Sequence, residues 1–131
     1  MNKVIDKYLA YINERIAEHK RNSEAYKADD RKDEANLEMI KANICEVFRT
    51  LFITDTKQLE KKDLSEYKDI NLFADYLTRF NTIPANWKTS LEKAKAHGDV
   101  TKQVIEETKL EVAKELKEKL NSIFNAEVEA L

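Results

Sequence analysis

One glycine and one proline are the only residues of their kinds in this chain of 131 amino acids. Sandwiches, barrels and doubly wound folds contain many turns, which draw on the positive φ of glycine and the fixed φ of proline. A chain with so little of either has few connections and consists mostly of helix. Because 42% of the residues are apolar, the chain can bury a core, and its length fits one helical domain over residues 1–131.

The densest helical pattern in the chain lies in the stretch Asp30–Ile53. Side chains three and four residues apart share one face of an α-helix. The apolar residues with this spacing are Leu37, Ile40, Ile44, Val47 and Leu51. Phe48 and Phe52 widen the stripe, which is typical of a core helix that touches more than one neighbour. We therefore expect that Ile44→Asp abolishes folding, because it would bury an unpaired charge.

Apolar periodicity predicts helices at about residues 2–27, 30–53, 64–80, 84–97 and 100–126. The pattern predicts an all-α fold, a four- or five-helix antiparallel bundle built on long αα-hairpins. Gly98 stands where the end of a helix needs a left-handed residue. The clearest break is Asn81–Pro84, because proline favours the first turn of a new helix.

Three points of organisation stay open in the sequence. Residues 54–69 fit either helix or loop, and Ala28–Arg31 reads as a turn or as part of one continuous helix. At an offset of 68 residues, the segment from Ala28 to Phe52 resembles the segment from Ala96 to Leu120. Any two amphipathic helices can be slid to match in this way, so the sequence favours independent helices over a duplicated hairpin.

The residue types that carry chemistry are scarce. Two histidines and one cysteine are too few for a dedicated zinc site. His19 and His97 also lack the glutamate three residues earlier that a bundle di-metal centre uses. A lone Cys45 beside an apolar stripe is most simply a small core residue. We predict no catalytic residue, no metal and no cofactor.

Charged residues make up 37% of the chain, with both signs interspersed and a net charge of −2. Attraction to phosphate is therefore not built in, and nucleic acid is an unfavoured partner. No apolar run approaches the roughly 18 residues of a membrane span, and the first residues lack the apolar region of a signal peptide. We expect no membrane contact and a cytoplasmic location.

A candidate partner surface comes from apolar residues that fall beside the main stripes. Val4 and Tyr11 share a second face of the first helix, and Leu110, Phe124 and Val128 share a flank of the last. Leu110 and Val128 are candidate contacts to another chain or to the segment before Phe80. The leading hypothesis is a non-enzymatic interaction or adaptor module with an unknown protein partner, which self-associates as a homo-oligomer. The alternatives are a small-molecule binder or enzyme subunit with a pocket among the helices, and a dimeric nucleic-acid regulator.

Overall fold

The computed structural model describes residues 2–60 and 68–130, and this part of the chain is all-helical. The described helices are α1 (Asn2–Ala28), α2 (Lys32–Glu60), α3 (Lys68–Ala96) and α4 (Val100–Glu129). The predicted all-α class is confirmed. This part of the chain has four helices, in agreement with the predicted four or five, although five separate ranges were predicted. We call α1 and α2 the first helix pair and α3 and α4 the second, because α1 packs mainly on α2 and α3 mainly on α4.

The predicted break at Asn81–Pro84 is wrong, because Pro84 lies inside α3. A proline within a helix removes one backbone hydrogen bond and costs about 3 kcal/mol. Burial on both sides of this position offsets the cost: Phe80 belongs to the core before it, and Leu91 is buried after it. The separate helices predicted at 64–80 and 84–97 are therefore a single helix.

The second correction concerns the end of α2, which we predicted at residue 53 and which lies at Glu60. Asp55 holds this last part in place, since its buried carboxylate accepts a hydrogen bond from Arg79 of α3 at 2.9 Å. Residues 54–60 are therefore helix. The predicted start of the next helix, residue 64, lies outside the described residues.

The two tight turns share one hydrogen-bond motif, the Schellman motif of helix C-termini. Asp30 has a φ of 57° after α1, and Gly98 has a φ of 66° after α3. The bonds that close the turns run from Arg31 N to Tyr26 O (2.8 Å), from Asp30 N to Lys27 O (3.1 Å), from Asp99 N to Ala94 O (2.9 Å) and from Gly98 N to Lys95 O (3.2 Å). Helices α1 and α2 are thus separate, and the left-handed role predicted for Gly98 is confirmed.

The two helix pairs correspond to each other position by position. The first pair matches the second at the separation of 68 residues that joins Tyr8 to Tyr76, and the helix ends follow it, with Ala28 matching Ala96. Buried residues also match: Val4 with Leu72, Ile12 with Phe80, Glu38 with Glu106, Ile44 with Val112, Cys45 with Ala113, Phe48 with Leu116 and Phe52 with Leu120. The structure therefore supports the internal repeat that the sequence had disfavoured.

The hydrophobic core lies in the halves of the helices that are far from the two turns. All four helices contribute to it, with Ile12, Phe48, Tyr76 and Leu116 among the buried residues. The rings of Phe48 and Phe80 stack with their centroids 4.6 Å apart. Nearer the turns, the buried residues include polar side chains, His19, Ser23, Glu38, Glu106 and Thr108. No helix within 2–60 and 68–130 combines the length and hydropathy needed to cross a membrane.

Candidate functional site

A groove of about 280 Å³ lies between the first turns of α2 and α4; we call it the α2/α4 groove. Its lining residues are Asp33, Asn36, Leu37, Ile40, Val100, Thr101, Val104 and Ile105. Of these eight residues only Asp33 is charged, whereas 37% of the whole chain is charged. The side chains of Val100 and Val104 are 68% and 39% exposed. This groove therefore presents apolar surface to solvent.

The first helix pair shows that the fold does not require these valines. Lys32 occupies the position that matches Val100, and Asn36 occupies the position that matches Val104. Both matching residues are exposed and polar, as expected for a solvent-facing helix surface. The second helix pair thus departs from the first by placing apolar residues at exposed positions.

A second groove, of about 330 Å³, lies between α3 and α4; we call it the α3/α4 groove. Its floor is apolar and its rim carries three lysines. The apolar residues are Phe80, Pro84, Leu110 and Ala113, and the polar ones are Asn81, Lys88, Lys114 and Lys117. Among the described residues, no carboxylate oxygen within 4 Å pairs with any of these lysines.

The positions in the first helix pair that match this rim bond to one another. The Nζ of Lys20, which matches Lys88, lies 2.9 Å from Glu46 Oε1. Arg49 Nη1 donates to Asn13 Oδ1 at 2.8 Å, and Asn13 matches Asn81. Lys114 occupies the position of Glu46 and Lys117 that of Arg49. The second pair has therefore exchanged a carboxylate for an ammonium at the centre of the rim.

The structure separates the five residues of the predicted partner surface. Val4 is only 4% exposed and belongs to the core, so it offers no surface to a partner and forms no seam with Tyr11. The hydroxyl of Tyr11 donates to Glu115 Oε1 at 2.6 Å, and its side chain is half-buried. Leu110 lines the α3/α4 groove, and Val128 is 50% exposed.

Phe124, the fifth of these residues, stacks on Phe73 of α3 with the ring centroids 4.0 Å apart. It thus joins α4 to α3 within the chain. The predicted set missed Val100, Val104 and the three rim lysines. A residue-by-residue comparison of the two repeats would have found Val100, Val104 and Lys114, because each of these replaces a residue of different character in the first pair.

A buried polar cluster between α1 and α2 has the residue types of a catalytic triad. His19 Nδ1 lies 2.6 Å from Glu38 Oε2, and Ser23 Oγ donates to the carbonyl of Ala35 at 2.9 Å. His19 Nε2 has no hydrogen-bond partner among the described residues. Because Ser23 is fully buried and its proton is held by a carbonyl, the cluster lacks the nucleophile–base contact that a triad needs.

The thiol of Cys45, the chain's one cysteine, is also buried. Burial raises the pKa of the Cys45 thiol to about 12, so it stays protonated and unreactive at neutral pH.

Within the part of the chain that the structure describes, no three His, Cys, Asp or Glu side chains are grouped so as to hold a metal ion. Comparisons of the chain with family models, with characterised proteins and with solved structures found no match.

Proposed function

We propose that this protein is a non-enzymatic interaction module that self-associates through the α2/α4 groove. The observation that carries the proposal is the exposure of Val100 and Val104 beside this groove. Burial of apolar surface is favourable by about 25 cal/mol for each Å² removed from water. The matching residues of the first helix pair are polar, so the exposed apolar surface of these valines is a feature of the second pair that a second molecule can cover.

A second copy of the chain suits this groove better than it suits the α3/α4 groove. Most homodimers are two-fold symmetric, so that the same patch meets itself. A patch that combines a cleft with a protruding side chain, such as Val100, can interlock with its own copy. Asp33 is the one charged residue in the lining, so little like-charge repulsion opposes such a pair. At the α3/α4 groove the same operation would set lysines against lysines.

We infer in addition that each helix pair is an antiparallel αα-hairpin and that the two hairpins form one four-helix bundle. The order of contacts between α1 and α2 supports this arrangement, since residue numbers rise in one helix as they fall in the other. The contacts in that order are Asn13 with Arg49, Lys20 with Glu46 and Ser23 with Ala35. The order also supports placing the α2/α4 groove at the end of the bundle that carries both tight turns.

Sedimentation equilibrium over a range of protein concentrations tests the proposed self-association. The wild type should form dimers, and Val100→Glu/Val104→Glu should be monomeric with an unchanged circular dichroism spectrum, because both side chains are exposed. Val128→Glu is the matched control, since it changes another exposed valine outside the groove. A wild type that is monomeric at every concentration refutes the proposal. If only Val128→Glu dissociates the dimer, the interface lies on the flank of α4 that was predicted from the sequence.

The other expectations drawn from the sequence stay predictions. No contact among the described residues favours the enzyme subunit or the nucleic-acid regulator. DNA binding with a steep salt dependence would support the regulator. The small-molecule alternative concerns the α3/α4 groove and is tested there. A cytoplasmic location rests on the sequence alone.

A further inference from the structure

We infer that the α3/α4 groove is a docking site for an acidic segment of a partner protein. The segment would place an apolar side chain on the floor formed by Phe80, Pro84 and Leu110, and its carboxylates would pair with the rim lysines. This site is separate from the α2/α4 groove, so one molecule can hold a second copy of itself and an acidic partner at the same time. Such a molecule is an adaptor.

The internal repeat shows that the rim of the α3/α4 groove lacks a counter-ion that the first helix pair has. In the first helix pair, Lys20 has its counter-ion within the chain, because Glu46 lies 2.9 Å away. Lys88 occupies the matching place on α3, but Lys114 stands where Glu46 would be. The second pair thus keeps the ammonium, lacks the carboxylate and adds a further positive charge. A carboxylate from outside the chain would restore the interaction that the first pair makes by itself.

The floor of the groove offers apolar surface next to the lysines. Leu110 takes the position of Ala42, which is fully buried. Leu110 is only half-buried and lines the groove. Lysine stems lie along apolar surface while their ammonium groups reach water. The rim therefore combines apolar area with positive charge, which matches an apolar side chain flanked by carboxylates.

Acidic residues of α4 near the rim form no direct ion pair with its lysines. Glu111 and Glu118 lie three residues before and four residues after Lys114, and so share its side of the helix. Neither carboxylate forms an ion pair within 4 Å among the described residues. On α3, Glu92 pairs instead with Lys95, at 3.8 Å. The three lysines therefore remain available to a ligand.

The spread of charge favours a protein segment over a small amphiphile or a second copy. The lysines occupy both walls, with Lys88 on α3 and Lys114 and Lys117 one turn apart on α4. Several carboxylates along a segment can reach all three, whereas a single carboxylate head cannot. The acidic face of another copy could enter only head to tail, and such contacts extend into filaments or rings.

Isothermal titration calorimetry provides the measurement, because the tryptophan of the chain, Trp87, does not line the groove and its ring lies near Phe48 and Lys109 instead. The acidic probe is an acetylated, amidated helical peptide with leucines at three- and four-residue spacing and glutamates on either side. The basic probe keeps the leucines and replaces each glutamate by lysine. We expect the acidic probe to bind, and to bind more weakly as salt screens the ion pairs. The basic probe should not bind.

Lys114→Glu is the decisive variant, because it gives the second helix pair the residue that the first pair carries. Acidic-probe affinity should fall by about tenfold or more, through loss of one cation and pairing of the new carboxylate with Lys88. Lys57→Glu makes the same change of charge at an exposed position of α2 and should leave the affinity unchanged. Circular dichroism of both variants checks that the helices are retained.

The possible outcomes separate this inference from its competitors. Equal binding of the two probes, no binding of either, or full affinity in Lys114→Glu overturns it. Decanoate that displaces the acidic probe and binds more tightly would assign the groove to a small amphiphile instead. None of these results bears on self-association, because Val100→Glu/Val104→Glu tests the other groove.

Discussion

The phenolic oxygens of Tyr8 and Tyr76 lie 2.6 Å apart inside the core, and both side chains are fully buried. The two residues hold the same position in the two helix pairs and meet as equivalent residues meet beside a two-fold axis. Tyr76 also donates to the carbonyl of Phe48 at 3.1 Å. Its one proton is thereby committed, so Tyr8 is the donor between the two hydroxyls.

This direction makes the two tyrosines unequal, although they hold equivalent positions. Tyr76→Phe removes both hydrogen bonds and leaves the hydroxyl of Tyr8 buried without an acceptor, which costs about 1–3 kcal/mol. Tyr8→Phe leaves the bond from Tyr76 to Phe48 in place, so the loss should be smaller. Urea unfolding of the two variants and of the double variant measures this, and the double variant should lose less than the two single losses together. A larger loss for Tyr8→Phe would reverse the donor assignment.

The same buried groups predict that stability falls in alkaline solution. Burial raises the pKa of Tyr8 and of Tyr76 above its ordinary value, and burial raises that of Cys45 to about 12. In the unfolded chain these groups lose their protons near pH 8.5 for cysteine and near pH 10 for tyrosine. The folded state therefore binds more protons at high pH, and its extra stability, complete below about pH 8, is lost progressively as pH rises above that value.

Urea unfolding at a series of pH values measures this effect. The free energy of unfolding should decline above about pH 9. A variant with Tyr8→Phe, Tyr76→Phe and Cys45→Ala, compared with its own value at pH 7, should decline less steeply. A wild-type free energy that stays constant up to pH 11 would contradict the prediction.

Much of the fold could be predicted from local chemistry. The stripe that contains Ile44 and Phe48 follows the helical period, and both residues are in the core. Gly98 signals the turn after α3 because a left-handed residue is needed there. These predictions succeed because they depend on neighbours within a few residues along the chain.

The errors in the helix limits have the opposite origin, since they depend on partners that are distant in sequence. Pro84 would end an isolated helix, but the burial of Phe80 and Leu91 carries α3 through it. Asp55 looks like a residue that ends a helix, but Arg79 holds its carboxylate inside the structure. A pattern of single residues cannot show that such a partner is present.

The candidate sites were missed for a related reason. Exposed valines and lysines are unremarkable on any helix, and the meaning of Val104 or Lys114 emerges only beside Asn36 or Glu46. That comparison needs the register of the internal repeat. The sequence offers the register at an offset that chance could also produce, whereas the matching helix ends and buried residues of the structure support it.

The two turns give a matched test of backbone strain. Asp30 adopts the left-handed φ that Gly98 adopts in the other turn, and a residue with a side chain pays for that conformation. Asp30→Gly should therefore stabilise the protein by about 0.5–1 kcal/mol, and Gly98→Ala should destabilise it by about 1 kcal/mol. A Cβ on Gly98 would meet no atom within 4 Å, so its cost is conformational and not steric. Thermal unfolding of the two variants measures these effects. If Asp30→Gly and Gly98→Ala shift the unfolding temperature in the same direction, the two turns do not share one motif.

Ile44 and Val47 belong to one stripe in the sequence, yet the structure separates them. Ile44 is 7% exposed and packs in the core, whereas Val47 is 43% exposed. Ile44→Asp would bury an unpaired carboxylate at a cost of several kcal/mol, comparable to the whole stability of about 5–15 kcal/mol. We expect it to lose cooperative unfolding, while Val47→Asp keeps it. Circular dichroism during urea unfolding tests both, and a normal transition for Ile44→Asp would mean that α2 is not the core helix.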